Sequence, residues 1–334
     1  MAYTTIDDPE AYFQIKTYSG TGSSLAVTLD GETDMSPNLV WIKSRSHTNY
    51  HVVTDTVRGV TKQIYPNDSG VEETVAGSLT VFGSDGFTVA GSATDTNGSG
   101  RTYVAWCWKE SADAGFDIVS YTGNGSNRTI SHSLSAVPHL MILKSRTYAE
   151  NWQIYNHKMA SDPETDYMEF RTTAIADSAT TWNDTAPTSS VFSVGTRDAT
   201  NKNTYTYINY LWTAKQGFSK FGAYEGNGSE GGHEDGPFIY TGFAPAWIMM
   251  KAVGATDHWR MSDIKRVYAA PLYPHLANVE PTNLTSPIDF LANGFKIRNV
   301  DPDDNTDGVT YIYMAFADAP FVNSNGVPCN ARST

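Results

Sequence analysis

Lys43-Ser44-Arg45 and Lys144-Ser145-Arg146 place two cations at the same spacing in two distant parts of the chain. Each follows an apolar run, Leu39-Val40-Trp41-Ile42 in the first case and Leu140-Met141-Ile142-Leu143 in the second. A third run ends in Lys251-Ala252-Val253 and lacks the arginine. Downstream of each come an aromatic residue (Tyr50, Trp152, Trp259), a carboxylate or amide (Asp55, Asn156, Asp263) and another base (Arg58, Lys158, Lys265). A base beside a carboxylate or amide at repeated positions is most simply a salt bridge tying strand to loop. The rival chemistry is recognition, because arginine, aspartate and an aromatic ring commonly meet in a polar groove for sugars. Lys43, Arg45, Lys144 and Arg146 are therefore candidate binding residues.

Other clusters invite the same question. Gly231-Gly232-His233-Glu234-Asp235-Gly236 gathers a histidine and two carboxylates in a glycine-rich turn without counterpart elsewhere. His233, Glu234 and Asp235 are candidates for a site grafted there, against the plainer reading of a solvated insertion. Asp303, Asn305, Asp307 and Gly308 open with the spacing of a calcium loop, but the required bidentate glutamate would fall on Met314. An Asx-rich hairpin turn explains them more simply. His47 and His51 stand four apart, as zinc ligands do on a helix, yet lie in strand and loop sequence without a third ligand nearby. There is no G-x-S-x-G elbow, phosphate loop or H-E-x-x-H. Paired carboxylates for a glycosidase cannot be singled out among so many scattered acids. The expectation is a protein without catalytic residues, metal or cofactor.

What positions these residues is a repeat. Lys16-Thr17-Tyr18-Ser19-Gly20-Thr21-Gly22 returns as Val119-Ser120-Tyr121-Thr122-Gly123-Asn124-Gly125 and as Gly222-Ala223-Tyr224-Glu225-Gly226-Asn227-Gly228. The three tyrosines are evenly spaced. The apolar run into lysine recurs from Pro37, Pro138 and Pro245, and an aromatic strand closes each unit at residues 103–108, 207–212 and 311–316. Three landmarks in one order, three times over, indicate tandem copies of one module. The expected organisation is a lead at 1–12, modules at 13–109, 116–214 and 218–318, and a tail at 319–334. Linkers of a few residues favour compact contact between neighbours, and leave a disc and a rod equally open.

The elements are those of β structure. Tyr, Phe and Trp number 19, 14 and 8, with 27 Gly and 15 Pro as punctuation, and amphipathic helical periodicity is missing. The expected fold is all-β, three tandem antiparallel β-sandwich modules of jelly-roll-like form. In the closing strands Val104, Trp106 and Trp108, with Ile208, Tyr210, Trp212, Ile312, Met314 and Phe316, share one face by period two. That face should be core rather than a sugar-stacking platform. Two cysteines cannot supply a disulfide framework, and no run is long enough to span a membrane. A net charge of −13 argues against nucleic acid as partner, since phosphate neutralisation needs clustered cations. The first residues have neither the basic nor the apolar region of a signal peptide.

Several of these segments resemble repeat modules of virion structural and tail-fibre-like proteins of marine bacteriophages. The likeness rests on Thr4-Thr5-Ile6-Asp7-Asp8-Pro9-Glu10-Ala11-Tyr12-Phe13, Leu39-Val40-Trp41-Ile42-Lys43-Ser44-Arg45 and Ser84-Asp85-Gly86-Phe87-Thr88. Tyr103-Val104-Ala105-Trp106-Cys107-Trp108-Lys109, Gly242-Phe243-Ala244-Pro245-Ala246-Trp247 and Phe321-Val322-Asn323-Ser324-Asn325-Gly326-Val327-Pro328 extend it over nearly the whole chain. The resemblance implies a virion component assembled in the host cytoplasm, present in several copies and touching other tail or capsid subunits. It transfers no catalytic residue. The expected task is that of a tail-fibre-type appendage binding the host surface, with a surface glycan as the expected partner there. The alternatives are a capsid decoration protein and a surface-glycan depolymerase. For a fibre, the divergent stretches at 60–76, 160–179 and 268–283 are expected to face outward.

Overall fold

The computed structural model describes residues 3–91, 93–228, 235–282 and 287–329. Among these the longest helical element is a single turn, Asp198–Asn201. Near the start, Asp8 caps the 3-10 turn Pro9–Ala11, its carboxylate accepting from the Glu10 amide at 3.0 Å. None of the described helices is long and apolar enough to cross a membrane.

Each repeated segment forms a four-stranded antiparallel sheet, and all three sheets share one strand order. The opening strands are Phe13–Ser19, Phe116–Thr122 and Ser219–Glu225. Next in space lie the closing strands Thr102–Trp108, Thr206–Trp212 and Thr310–Pro320. The middle strands Leu39–Ser44, Leu140–Ser145 and Phe243–Ala252 follow, then the edge strands His51–Asp55, Gln153–Asn156 and Arg260–Asp263. Smaller sheets lie apart from these. One joins Leu25–Thr28, Gly86–Val89 and Leu79–Gly83, another Arg128–Ser131 and Val191–Val194, and a third Phe238–Tyr240, Gly294–Ile297 and Ile288–Leu291.

The closing strand shows why two layers form. Its nine period-two residues, from Val104 to Phe316, all belong to the largest core. The alternate residues of the first copy, Tyr103, Ala105 and Cys107, are buried too, in a separate cluster with Val27, Phe87 and Val89 of the smaller sheet. Apolar side chains on both faces demand cover on both faces, and a second sheet supplies it. Cys107 and Cys329 are free thiols.

The repeated Tyr-x-Gly-x-Gly has a local cause. A Cβ on Gly20, Gly123 or Gly226 would collide with the carbonyl oxygen of Gly98, Lys202 or Thr306, in the loop before the closing strand. That loop is held by Asn97, Asn201 and Asn305, whose Oδ1 atoms accept the amides of Thr21, Asn124 and Asn227 at 2.9 to 3.0 Å. Beside it Tyr18, Tyr121 and Tyr224 stack on Tyr103, Tyr207 and Tyr311, each pair with ring centroids 5.1 Å apart.

The segments are not separate beads. Trp108, Trp212 and Phe316, which end the three buried faces, meet with ring centroids 6.3 Å and 5.7 Å from Trp108 to the other two. One core runs through all three segments. The stretches expected to face outward do so only in part, since each also sends a short buried piece inward. Ile64, Met168 and Leu272 each add an isolated antiparallel bridge to an edge strand, pairing with Val53, Ile154 and Met261. All three are buried. Apolar residues at matching places in otherwise divergent loops bury against the neighbouring segment, because the junction there is part of the core.

Candidate functional site

Each middle strand carries its lysine into the interior. Lys43, Lys144 and Lys251 are fully buried. A buried ammonium is tolerable only with acceptors around it, and each finds carbonyls. Lys144 Nζ donates to Ser69, Ser145 and Glu150 at 2.9 to 3.1 Å. Lys251 Nζ reaches Ala252 and Ala255 at 2.7 and 2.8 Å, and Lys43 Nζ reaches Ser44 at 2.6 Å. Burial pushes all three down to about 8, against nearby carboxylates that oppose the shift.

Arginines and acids join the segments at two of the three junctions. Tyr210 donates to Asp55 Oδ2 at 2.6 Å, and Asp55 also holds the buried Arg58. Arg58 approaches Glu72 at 3.4 Å, and Glu72 takes Arg146 of the second segment at 2.9 and 3.0 Å. Trp106 likewise donates to Asp263 at 3.0 Å, and Asp263 holds Arg266 at 2.7 Å. Arg266 lies 3.7 Å from Glu280, which pairs with Arg45 of the first segment. Matching backbone bonds run from Glu72 to Arg146, from Glu280 to Arg45 and from Ile175 to Val253, at 2.8 to 2.9 Å. First touches second, second touches third, and third touches first. The aromatic residues take part: Trp152 donates to the Tyr65 carbonyl at 2.9 Å and Trp259 to that of Glu169 at 2.8 Å.

Lys43, Arg45, Lys144 and Arg146 are thus committed to carbonyls and to acids across junctions, which corrects their reading as an open groove. The pairing base also sits one place later than the spacing suggested. Arg266, not the exposed Lys265, holds Asp263, and the equivalent position in the second segment is the buried Met159 rather than Lys158.

Where the three loops converge, they enclose a cleft of about 430 Å³. Its walls come from residues 66–69 of the first segment, 151–152 and 170–173 of the second, and 275–276 of the third. Trp152 and Phe170 supply apolar surface and are otherwise buried. Asp68, Asn67, Asn151, Arg171 and His275 supply polar groups. Burial, with His258 and Lys251 facing it, pushes His275 down to about 3, so its ring is neutral at ordinary pH. The cleft thus offers acceptors and donors of both signs beside aromatic surface.

A family model described as a domain of unknown function, DUF7483, matches residues 8–320. The chain belongs to the DUF7483 family. The match spans all three repeated segments. No curated protein and no solved structure matches the chain.

Other sequence candidates fall elsewhere. His233 and Glu234 lie outside the described residues, and Asp235 is a highly exposed carboxylate 3.8 Å from Lys296. Asp303 accepts from the His258 amide at 2.8 Å, and Asn305 donates to the Asn299 carbonyl at 2.8 Å. Asp307 is exposed, so the three side chains do not converge as an ion site would require. His51 is buried with Nδ1 accepting from Trp41 at 3.0 Å, while His47 is exposed beside Ser46. The cleft escaped sequence reading because its walls come from the least similar stretches. A signal was present: Tyr65-Pro66 and Tyr273-Pro274 recur just after the paired apolar residues Ile64 and Leu272.

Proposed function

We propose that this chain is a virion structural protein of three β-sandwich modules in a pseudo-threefold ring, serving as a tail-fibre-type appendage that binds the host surface. One observation carries the reading. The charged groups repeated between segments are spent on closing the cycle, leaving an acidic body with a cleft that all three loops build. That is how a rigid binding or assembly unit is made, and several copies per particle multiply a weak single-site affinity. The likeness to marine-phage modules supports the same assignment. The ring is read as a non-enzyme; turnover of host polysaccharide by the purified chain, abolished by one carboxylate substitution, would overturn that.

A second reading, a decoration protein clamping capsid subunits, is favoured by the cyclic arrangement, which offers three similar faces to three neighbours. A density map of the intact particle separates the two. Density at the tail supports the appendage, and density on the capsid lattice overturns it. Adherence of the isolated protein to host cells is the simpler check, since a pure decoration protein should not adhere.

A further inference from the structure

The cleft shared by the three loops has polar groups left over after the fold is satisfied. Asn67 Oδ1 accepts the His51 amide at 2.8 Å, while its Nδ2 has no partner among the described residues. Asn151 Nδ2 donates to Glu169 at 3.0 Å, and its Oδ1 is open in the same sense. The Asp68 carboxylate accepts no hydrogen bond among the described residues. Arg171 is about half exposed, at 54%, and comes only within 3.9 Å of Glu169. His275 Nδ1 is buried without a partner. Once a ligand excludes water from the cleft, leaving such groups unpaired costs free energy, so a fitting ligand must satisfy them.

The ligand's chemistry follows by elimination. An anion drawn to Arg171 meets Asp68. A metal cation finds one carboxylate and too few oxygens. An apolar ligand would bury the unpaired amides and charges. A ring of hydroxyls, each both donor and acceptor, matches alternating acceptors and donors, and its C–H face suits Trp152 and Phe170. The volume, about 430 Å³, lies within the usual range for small-molecule sites. We propose that this cleft is a binding site for a neutral saccharide, held chiefly by Asp68 from the first segment and Arg171 from the second. The assignment rests on the host-surface reading for its biological use.

The test is ligand-observed saturation-transfer NMR on the full chain. The probes are free glucose, galactose, mannose and N-acetylglucosamine, with galacturonate and inorganic sulfate as anionic arms and calcium as the cationic arm. At least one neutral sugar should bind, and the Asp68→Ala/Arg171→Ala variant should weaken it by about tenfold or more. The variant should still unfold in one cooperative transition with at most a small drop in midpoint, since neither side chain makes a hydrogen bond or close ion pair across a junction, although Asp68 does lie near the buried Lys144. Asp68→Asn, which keeps an acceptor, should retain more affinity than Asp68→Ala. No binding by any neutral sugar, equal binding by the double variant, or preference for sulfate or calcium would each overturn the assignment. Host-cell adherence in parallel separates this from the broader reading. Adherence that survives in the double variant overturns the site and leaves the appendage; sugar binding without adherence overturns the appendage and leaves the site.

Discussion

The junction between first and second segments and the junction between second and third occupy equivalent places and are built from opposite materials. The former is a chain of polar groups, Tyr210, Asp55, Arg58, Glu72 and Arg146. At the latter the same positions hold Met314, Asn156, Met159, Ile175 and Val253, all apolar except the amide. The junction between third and first repeats the polar version, with Trp106 in place of tyrosine. Every substitution is matched by its neighbour: where the closing strand offers no donor, the edge strand offers no carboxylate and the loop no arginine. The place requires complementarity, and either chemistry supplies it. A buried ion network complete in its partners and a well-packed apolar patch have similar net worth, whereas half a network does not.

Asp55→Ala should be the most damaging change at the polar junction. It leaves the buried Arg58 cation with Glu72 at 3.4 Å as its one remaining acid, beside the Val53 and Lys62 carbonyls, and removes the acceptor of the Tyr210 hydroxyl, a loss of about 3–5 kcal/mol. Urea denaturation measures it, and a loss below about 1 kcal/mol would mean that the network is ornamental.

Arg146→Ala should cost far less, about 1 kcal/mol. Its side chain is 20% exposed, and Glu72 keeps Arg58 when it goes. The same denaturation series checks the ranking, which collapses if the two losses are equal.

The sharpest test of equivalence transplants one junction onto the other. A variant with Tyr210→Met, Asp55→Asn, Arg58→Met, Glu72→Ile and Arg146→Val should sit within about 1–2 kcal/mol of the parent, on either side. A loss as large as that from Asp55→Ala alone would show that the first junction has come to depend on charge.

The lysines provide the contrast, being alike in all three segments. Each has a folded pKa near 8, below the ordinary lysine value of 10.5. Between about pH 8 and pH 10 the unfolded chain holds protons that the folded chain has released, so stability should rise with pH there. Urea midpoints across that window should climb, and Lys144→Met should flatten the climb in part. A flat parent profile would refute the depressed values.

The closing strands and the Gly-x-Gly turns were legible because their causes are local. Period two sorts Val104, Trp106 and Trp108 onto one face wherever the strand lies. A glycine pressed against the Gly98 carbonyl needs no knowledge of distant chain. The three-unit count followed from the evenly spaced tyrosines, and the lysines were visible as landmarks. Their task was not: an ammonium at a strand end reads alike whether it meets solvent or carbonyls.

By itself, then, the sequence determined an all-β chain of repeated sheets and which residues they bury, since strand periodicity and turn sterics act over a few residues. The tertiary structure alone decided that Arg45 answers Glu280, that Arg146 answers Glu72, and that three dissimilar loops enclose one cleft. Those pairings join residues 74 and 235 positions apart. Nothing along the chain encodes such a contact except the chance to bury and pair it, and that chance exists only once the cycle closes.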